Sequence, residues 1–417
     1  MYTSVHKISQ TPLPRYIYPR LFARIRGFFS AIYSSPHSSL RLRGFFTLVL
    51  LCLVCRSASA VDQVTYRRDG KTAEVTGRLL VKTDDGVLLI LARDGVISAI
   101  EPNDLIKHVS NDEKFASFSR DETAKRILAG LPQGFRMHST AHYLICYDTS
   151  TAYAQWCGAL FERLYSAFTN YWSRQGFDLA KPEFPLVAVL FADRAAYLKH
   201  SRAELGDGNT AIGYYSIITN RMTMYDLTGV EANSRGRGRV NTAAQINQIL
   251  AQPDAERTVA TVVHEATHQI AFNCGLHARL SDCPLWFCEG IAVYFETPDL
   301  SSAKGWRGIG AVNESRLEQF QQYLPSRPPN SLETLIRDDT RFHEAKQILD
   351  AYGEAWALTY FLLRQHPKEY VRYLAMLSKK TPLIHDGPEK RLQQFREVFG
   401  DLSRLDTEFL RYMNKMR

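Results

Sequence analysis

The chain has 417 residues, 45% of them hydrophobic and 23% charged, which is enough to bury a substantial core and to form more than one folded unit. Its formal net charge of +8 resides in the first 60 residues, where Lys7, Arg15, Arg20, Arg24, Arg26, Arg41, Arg43 and Arg56 meet no acidic residue. The remaining forty-three basic groups face forty-three acidic ones. That balance gives no case for a nucleic-acid partner, and seven cysteines are too few for a disulfide-dominated scaffold.

The leader, 1–60, places an apolar run at 45–55 after its basic segment and ends in Ala58, Ser59 and Ala60. This order predicts a secretory signal cleaved after Ala60, and so a periplasmic or secreted protein. Eleven apolar residues are too few for a stable membrane span, so none is expected after processing; a retained leader would act as a tether. Beyond it, apolar and polar residues alternate over 64–109, punctuated by Asp-Gly pairs at 69–70, 85–86 and 94–95. The pattern predicts a small antiparallel β module over 61–115, barrel-like in closure.

The third segment, 116–417, reads as one domain. A helix over 121–131 is followed by a strand at 142–147, an amphipathic helix at 153–174, a strand at 186–191 and a helix at 193–202. A hairpin is expected at 214–226, then a polar passage at 233–239 whose arginines suit a solvated loop. Helices follow over 254–272 and from about 287, then over 331–336, 344–365 and 369–378, and a helical hairpin over 392–416 closes the domain. A mixed sheet followed by a mostly helical half is an α+β arrangement. Of the five cysteines left after cleavage, Cys274 and Cys283 are expected to staple the loop between the helices at 254–272 and 287 onward. Cys288 is read as a packing residue, and Cys146 and Cys157 either pair or stay buried.

The chemistry concentrates in two segments. A helix over 254–272 sets His264 and His268 one turn apart on one face, so that both imidazoles can meet one zinc ion. Glu265, next in sequence to His264, is placed to serve as general base for water, the mechanical content of H-E-x-x-H. A catalytic zinc normally has three protein ligands. Glu289, in the run Trp-Phe-Cys-Glu-Gly-Ile-Ala-Val-Tyr-Phe-Glu at 286–296, is the third, because an unpaired carboxylate among Phe287, Ile291, Ala292 and Phe295 is costly. Gly290 leaves room for a neighbouring helix. Glu296, seven residues on and on about the same face, either orients a ligand histidine from behind or is an ordinary helix charge. His277 ranks below Glu289 as a ligand. The same residues also suit a pair of satisfied, partly buried histidines on an amphipathic helix.

The paired H-E-x-x-H and E-G-x-A segments resemble those of gluzincin metallopeptidases, with an aminopeptidase N-like, peptidase MA-like core, and of uncharacterised secreted bacterial relatives of that group. The resemblance is strongest over 210–365. It implies a zincin-like mixed-sheet lobe with a helical C-terminal lobe, Zn2+ held by His264, His268 and Glu289, and Glu265 as base. It also implies a tyrosine on a later helix that stabilises the oxyanion, and Tyr352 matches that place best; a tyrosine anchoring the start of a core helix is the other reading. The Gly-x-Met-Glu-Asn segment by which related aminopeptidases grip a free amine is absent. The corresponding region, 213–226, resembles the edge strand against which an extended substrate lies. The expectation is an endopeptidase acting on a peptide or protein, with two alternatives: an amidase acting on a cell-envelope peptide, or an inactive binding protein of the same fold.

Overall fold

The computed structural model describes residues 61–207, 210–228, 242–250, 253–297 and 309–416. The expected leader at 1–60 and the arginine-bearing passage at 233–239 lie outside the described residues. The fold is α+β, with an antiparallel sheet near the N-terminus, a mixed sheet, and a helical C-terminal region. Among the described residues no helix is long and apolar enough to cross a membrane. The chain divides into two compact units. One comprises 61–93, 98–116 and the described part of 200–211; the other comprises 94–97, 117–199 and the described part of 212–417.

The first unit is built on five strands: β1 (Val61–Arg68), β2 (Lys71–Lys82), β3 (Leu88–Ala92), β4 (Ile97–Ile100) and β5 (Leu105–Asn111). The β1–β2 hairpin turns at Asp69 and Gly70, both with positive φ, the geometry that an Asp-Gly pair favours. Val64, Tyr66, Leu88, Ile90 and Ile100 form its core. The strand order is β4-β3-β2-β1-β5, with β4 and β5 at the two ends of the order. The charged buried residue here is fully engaged. Asp62 accepts from Leu79 N–H at 2.9 Å, lies 2.8 Å from His108 Nε2 and accepts from the Ser110 hydroxyl.

The second unit opens with α1 (Arg120–Ala129), started by a capping box in which Ser119 and Glu122 satisfy each other's backbone N–H. It continues through β6 (Arg136–Ser139), β7 (Tyr143–Tyr147), α2 (Thr151–Arg174), β8 (Leu186–Phe191), α3 (Arg194–Leu205), β9 (Gly213–Ser216) and β10 (Arg221–Tyr225). The sheet order is β6-β7-β8-β10-β9. β7, β8 and β10 run parallel, while β6 and β9 pair antiparallel at the two ends. Parallel strands covered on both faces read as continuous apolar runs, and every residue of β7 and β8 is buried.

The helical part follows: α4 (Ala243–Leu250), α5 (Pro253–Asn273), α6 (Leu285–Tyr294), α7 (Glu314–Tyr323), α8 (Ser331–Arg337), α9 (Thr340–His343), α10 (Ile348–Gln365), α11 (Pro367–Leu377), α12 (Pro388–Phe399) and α13 (Leu402–Met413). α10 begins four residues later than the pattern at 344–365 suggested, because 344–347 form a turn before it. The disulfide also departs from expectation: Cys283 pairs with Cys288, and Cys274 is free and buried, as are Cys146 and Cys157. Cys274 follows the last residue of α5, while Cys288 lies within α6, five residues on from Cys283.

Candidate metal centre

Two helices carry the site, and each is held by polar contacts that sequence spacing does not specify. The C-terminal half of α5 is pinned to the mixed sheet. Gln269 Nε2 donates to Val187 O at 2.9 Å, and the amides of Asn273 and Asn220 exchange hydrogen bonds at 2.8 Å. All ten residues of α6 are buried. Its start, at Pro284, has no side-chain cap of its own. Leu285 N–H donates instead to Asp339 Oδ1 at 2.9 Å, and Asp339 in turn accepts from Arg391 Nη1 at 2.9 Å. Arg391 also grips buried Asp282 just before α6, with Nη2 2.6 Å from Oδ1.

α6 then packs on α10 at Gly290. A Cβ there would stand 2.1 Å from Thr359 Oγ1 and 2.9 Å from Ala355 O, so only glycine permits this approach. The close contact brings Glu289 into the interior opposite α5.

The result is a compact donor cluster. His264 Nε2 and His268 Nε2 are 3.1 Å apart, and Glu289 Oε2 lies 3.1 Å from the first and 3.5 Å from the second. One ligand atom from each of the three residues falls within 4.8 Å of the others. Glu296 lies behind His264: its Oε1 is 2.6 Å from Nδ1. Because the carboxylate accepts there, Nδ1 carries the proton, and the lone pair of a neutral His264 points from Nε2 at Glu289 and His268. Glu289 Oε1 is buried with no hydrogen-bond partner among the described residues. Converging lone pairs and an unmatched carboxylate oxygen suit a divalent cation, and a set of two imidazoles and one carboxylate suits zinc.

The electrostatics agree with that fit. Burial works against a charged His264, but hydrogen bonds to Glu289 and Glu296 outweigh it and lift the imidazole to about 10. Burial also opposes ionisation of Glu289, yet the two histidines hold it well below the usual carboxylate range. Glu265 differs: burial raises its pKa, and the pull of His264 and His268 does not cancel the rise. Its Oε2 accepts the backbone N–H of Tyr215, in β9, at 2.9 Å.

A family model described as a protein of unknown function (DUF1570) matches residues 258–384. No curated protein matches the chain. The matched segment holds His264, Glu265, His268, Glu289 and Tyr352.

Of the residues expected at the site, His264, His268 and Glu289 come together, Glu265 is held from β9, and Glu296 supports His264. Tyr352 is buried near the start of α10, one and two turns before Ala355 and Thr359, which meet Gly290. Its ring meets Phe342, and the Arg316 guanidinium carbon lies 5.4 Å from its centroid. His277 stands outside the ligand set, with Nδ1 3.7 Å from Cys283 Sγ and the rings of Phe272 and Phe287 beside it. Burial, aided by His268, pushes it down to about 3. Three contributors had no sequence signal: the Tyr215 backbone, Asn313 and Arg316. Asn313 Nδ2 donates to Glu296 Oε2 at 3.3 Å, and Arg316 lies 3.6 Å from the same oxygen. Only the N-cap preference of Asn313 at the start of α7 could have drawn attention to that turn.

Proposed function

We propose that the protein is a zinc-dependent hydrolase that cleaves within peptide chains. The observation that carries this reading is the convergence of His264, His268 and Glu289 with one carboxylate oxygen unmatched. A bound zinc ion would supply Lewis acidity to the scissile carbonyl and make water a nucleophile near neutral pH. Glu265 takes the proton of the attacking water and returns it to the departing amine. Its raised pKa suits a group that must both accept and release a proton, and the Tyr215 N–H keeps one of its oxygens fixed. The Tyr352 hydroxyl donates to the developing oxyanion, a role supported by its place on α10, the helix that packs on α6 at Gly290. β9 ends the sheet order and offers an edge to an extended substrate.

The apolar run and small-residue end of the leader support export, and a cell-envelope peptide is therefore among the substrates to test. The decisive experiment is metal analysis of the purified protein together with a peptide-library assay that includes cell-envelope peptides, with Glu265→Gln as control. One equivalent of zinc, and cleavage that E265Q abolishes, is the expected result. Bound zinc without turnover on any library member would favour the binding-protein alternative; no zinc uptake would overturn the metal reading.

A further inference from the structure

The first turn of α7 supplies a contact that the metal reading does not by itself require. Arg316 is 6% exposed, and its guanidinium lies between two groups of the site. Nη2 is 3.6 Å from Glu296 Oε2, and Cζ is 5.4 Å from the centre of the Tyr352 ring. The rest of the side chain is fixed locally. Nη1 donates to Gln319 Oε1 at 3.1 Å, one turn further along the same helix. The backbone N–H of Arg316 donates to Asn313 Oδ1 at 3.2 Å, while the amide of Asn313 reaches Glu296 Oε2. One helical turn therefore grips the carboxylate oxygen that His264 does not use.

We propose that Arg316 is a positioning residue that couples the metal ligands to Tyr352. It rests on the hydrolase reading above. A buried carboxylate such as Glu296 needs a counter-charge to stay put, and a planar guanidinium can meet that carboxylate while lying against an aromatic ring. With Glu296 fixed, the His264 ring is fixed through Nδ1. With the Tyr352 ring held by the same cation, the tyrosine hydroxyl and the ligand histidine keep one spacing. Partners behind a metal ligand typically change metal affinity about 10–100-fold when removed, and that is the effect expected here.

The test uses the full chain and Co2+ as the metal probe, because its visible absorption reports ligand geometry. Wild type, Arg316→Gln and Arg316→Lys are titrated with Co2+ against a competing chelator, and each metal-free protein is melted alongside. The expected order of affinity is wild type, then R316K, then R316Q, with R316Q weaker by about 10–100-fold and its absorption bands altered. R316K retains the charge without the planar fork, so it remains informative if R316Q does not fold. With a cleaved peptide in hand, kcat is expected to fall further than KM rises. Three coincident affinities and spectra would overturn the proposal while leaving the metal reading intact. Failure of the wild type to take up Co2+ would overturn the metal reading, and this inference with it.

Discussion

Glu289 and Glu354 are buried carboxylates on α6 and α10, two helices packed against each other, yet their surroundings are opposite in kind. Glu354 is saturated: Arg327 Nε donates to Oε1 at 2.8 Å, while Ser331 Oγ and Arg341 Nη1 each donate to Oε2 at 2.7 Å. Glu289 faces two imidazole nitrogens with one oxygen and nothing with the other. Both are shielded from water, so the difference lies in how the surrounding donors are used. A carboxylate that ties helices together has its lone pairs occupied, and one meant for a ligand keeps some of them open.

The largest effect expected of the proposed hydrolase is on activity. Glu265→Gln keeps the ligand set and removes the base, so zinc content should remain near one equivalent while peptide cleavage falls by about 10²–10⁴-fold; metal analysis and a turnover assay on the same preparation check both halves. Stability should separate Glu354 from Glu289. Glu354→Ala strands Arg327 and Arg341 in the interior and is expected to cost about 3–5 kcal/mol in denaturant unfolding. Glu289→Ala in the metal-free protein should cost less than that, since it removes one oxygen that meets the two imidazoles and a second that has no hydrogen-bond partner, and strands no arginine. Equal losses from the two substitutions would erase the distinction.

A smaller effect is expected where the helices meet. Gly290→Ala places a methyl group against Thr359 and the Ala355 carbonyl, and the resulting overpacking should cost about 1–3 kcal/mol and lower zinc affinity by displacing Glu289. A further effect is pH-dependent. Burial opposes ionisation of Asp282, but His385, Arg391 and Lys380 outweigh it and hold the folded-state pKa well below the aspartate range. A depressed folded pKa gives stability that is present above about pH 4 and lost as the pH falls toward the folded value. Melting between pH 7 and pH 2 should therefore show wild type losing more than Asp282→Asn, by about 1–3 kcal/mol.

Much of the site could be read from the chain because it is local. The turn-spaced His264 and His268 and the adjacent Glu265 follow from helical periodicity, whereas Glu296, expected on the same helix face as Glu289, lies beyond the end of α6 at Tyr294 and reaches His264 from the segment after it. The bounds of α2, β8 and α5 follow from the apolar pattern to within a residue or two. What escaped is long-range and often made by the backbone. The Tyr215 N–H that meets Glu265 lies fifty residues upstream and would exist for almost any side chain at that position. The charge of Arg316 looked no different from that of any other arginine until α7 folded back toward Glu296. The cysteine pairing departs from the pattern for a local reason: Cys274 and Cys283 flank the loop between the two helices, but Cys283 bonds to Cys288, five residues on in α6. Likewise, alternation and Asp-Gly turns identified the strands of the first unit but not the pairing of β1 with β5, which is made across the strands that intervene in sequence.

Arg391 has a practical consequence for anyone trimming this chain. It belongs to α12, beyond residue 384 where the matched segment stops, yet it neutralises Asp282 and Asp339 at the doorway of the helix that bears Glu289. A fragment excised at the edge of the matched segment would carry His264, His268 and Glu289 yet lose the clasp on that doorway, so a piece that keeps this cluster in place has to reach past the matched stretch to α12.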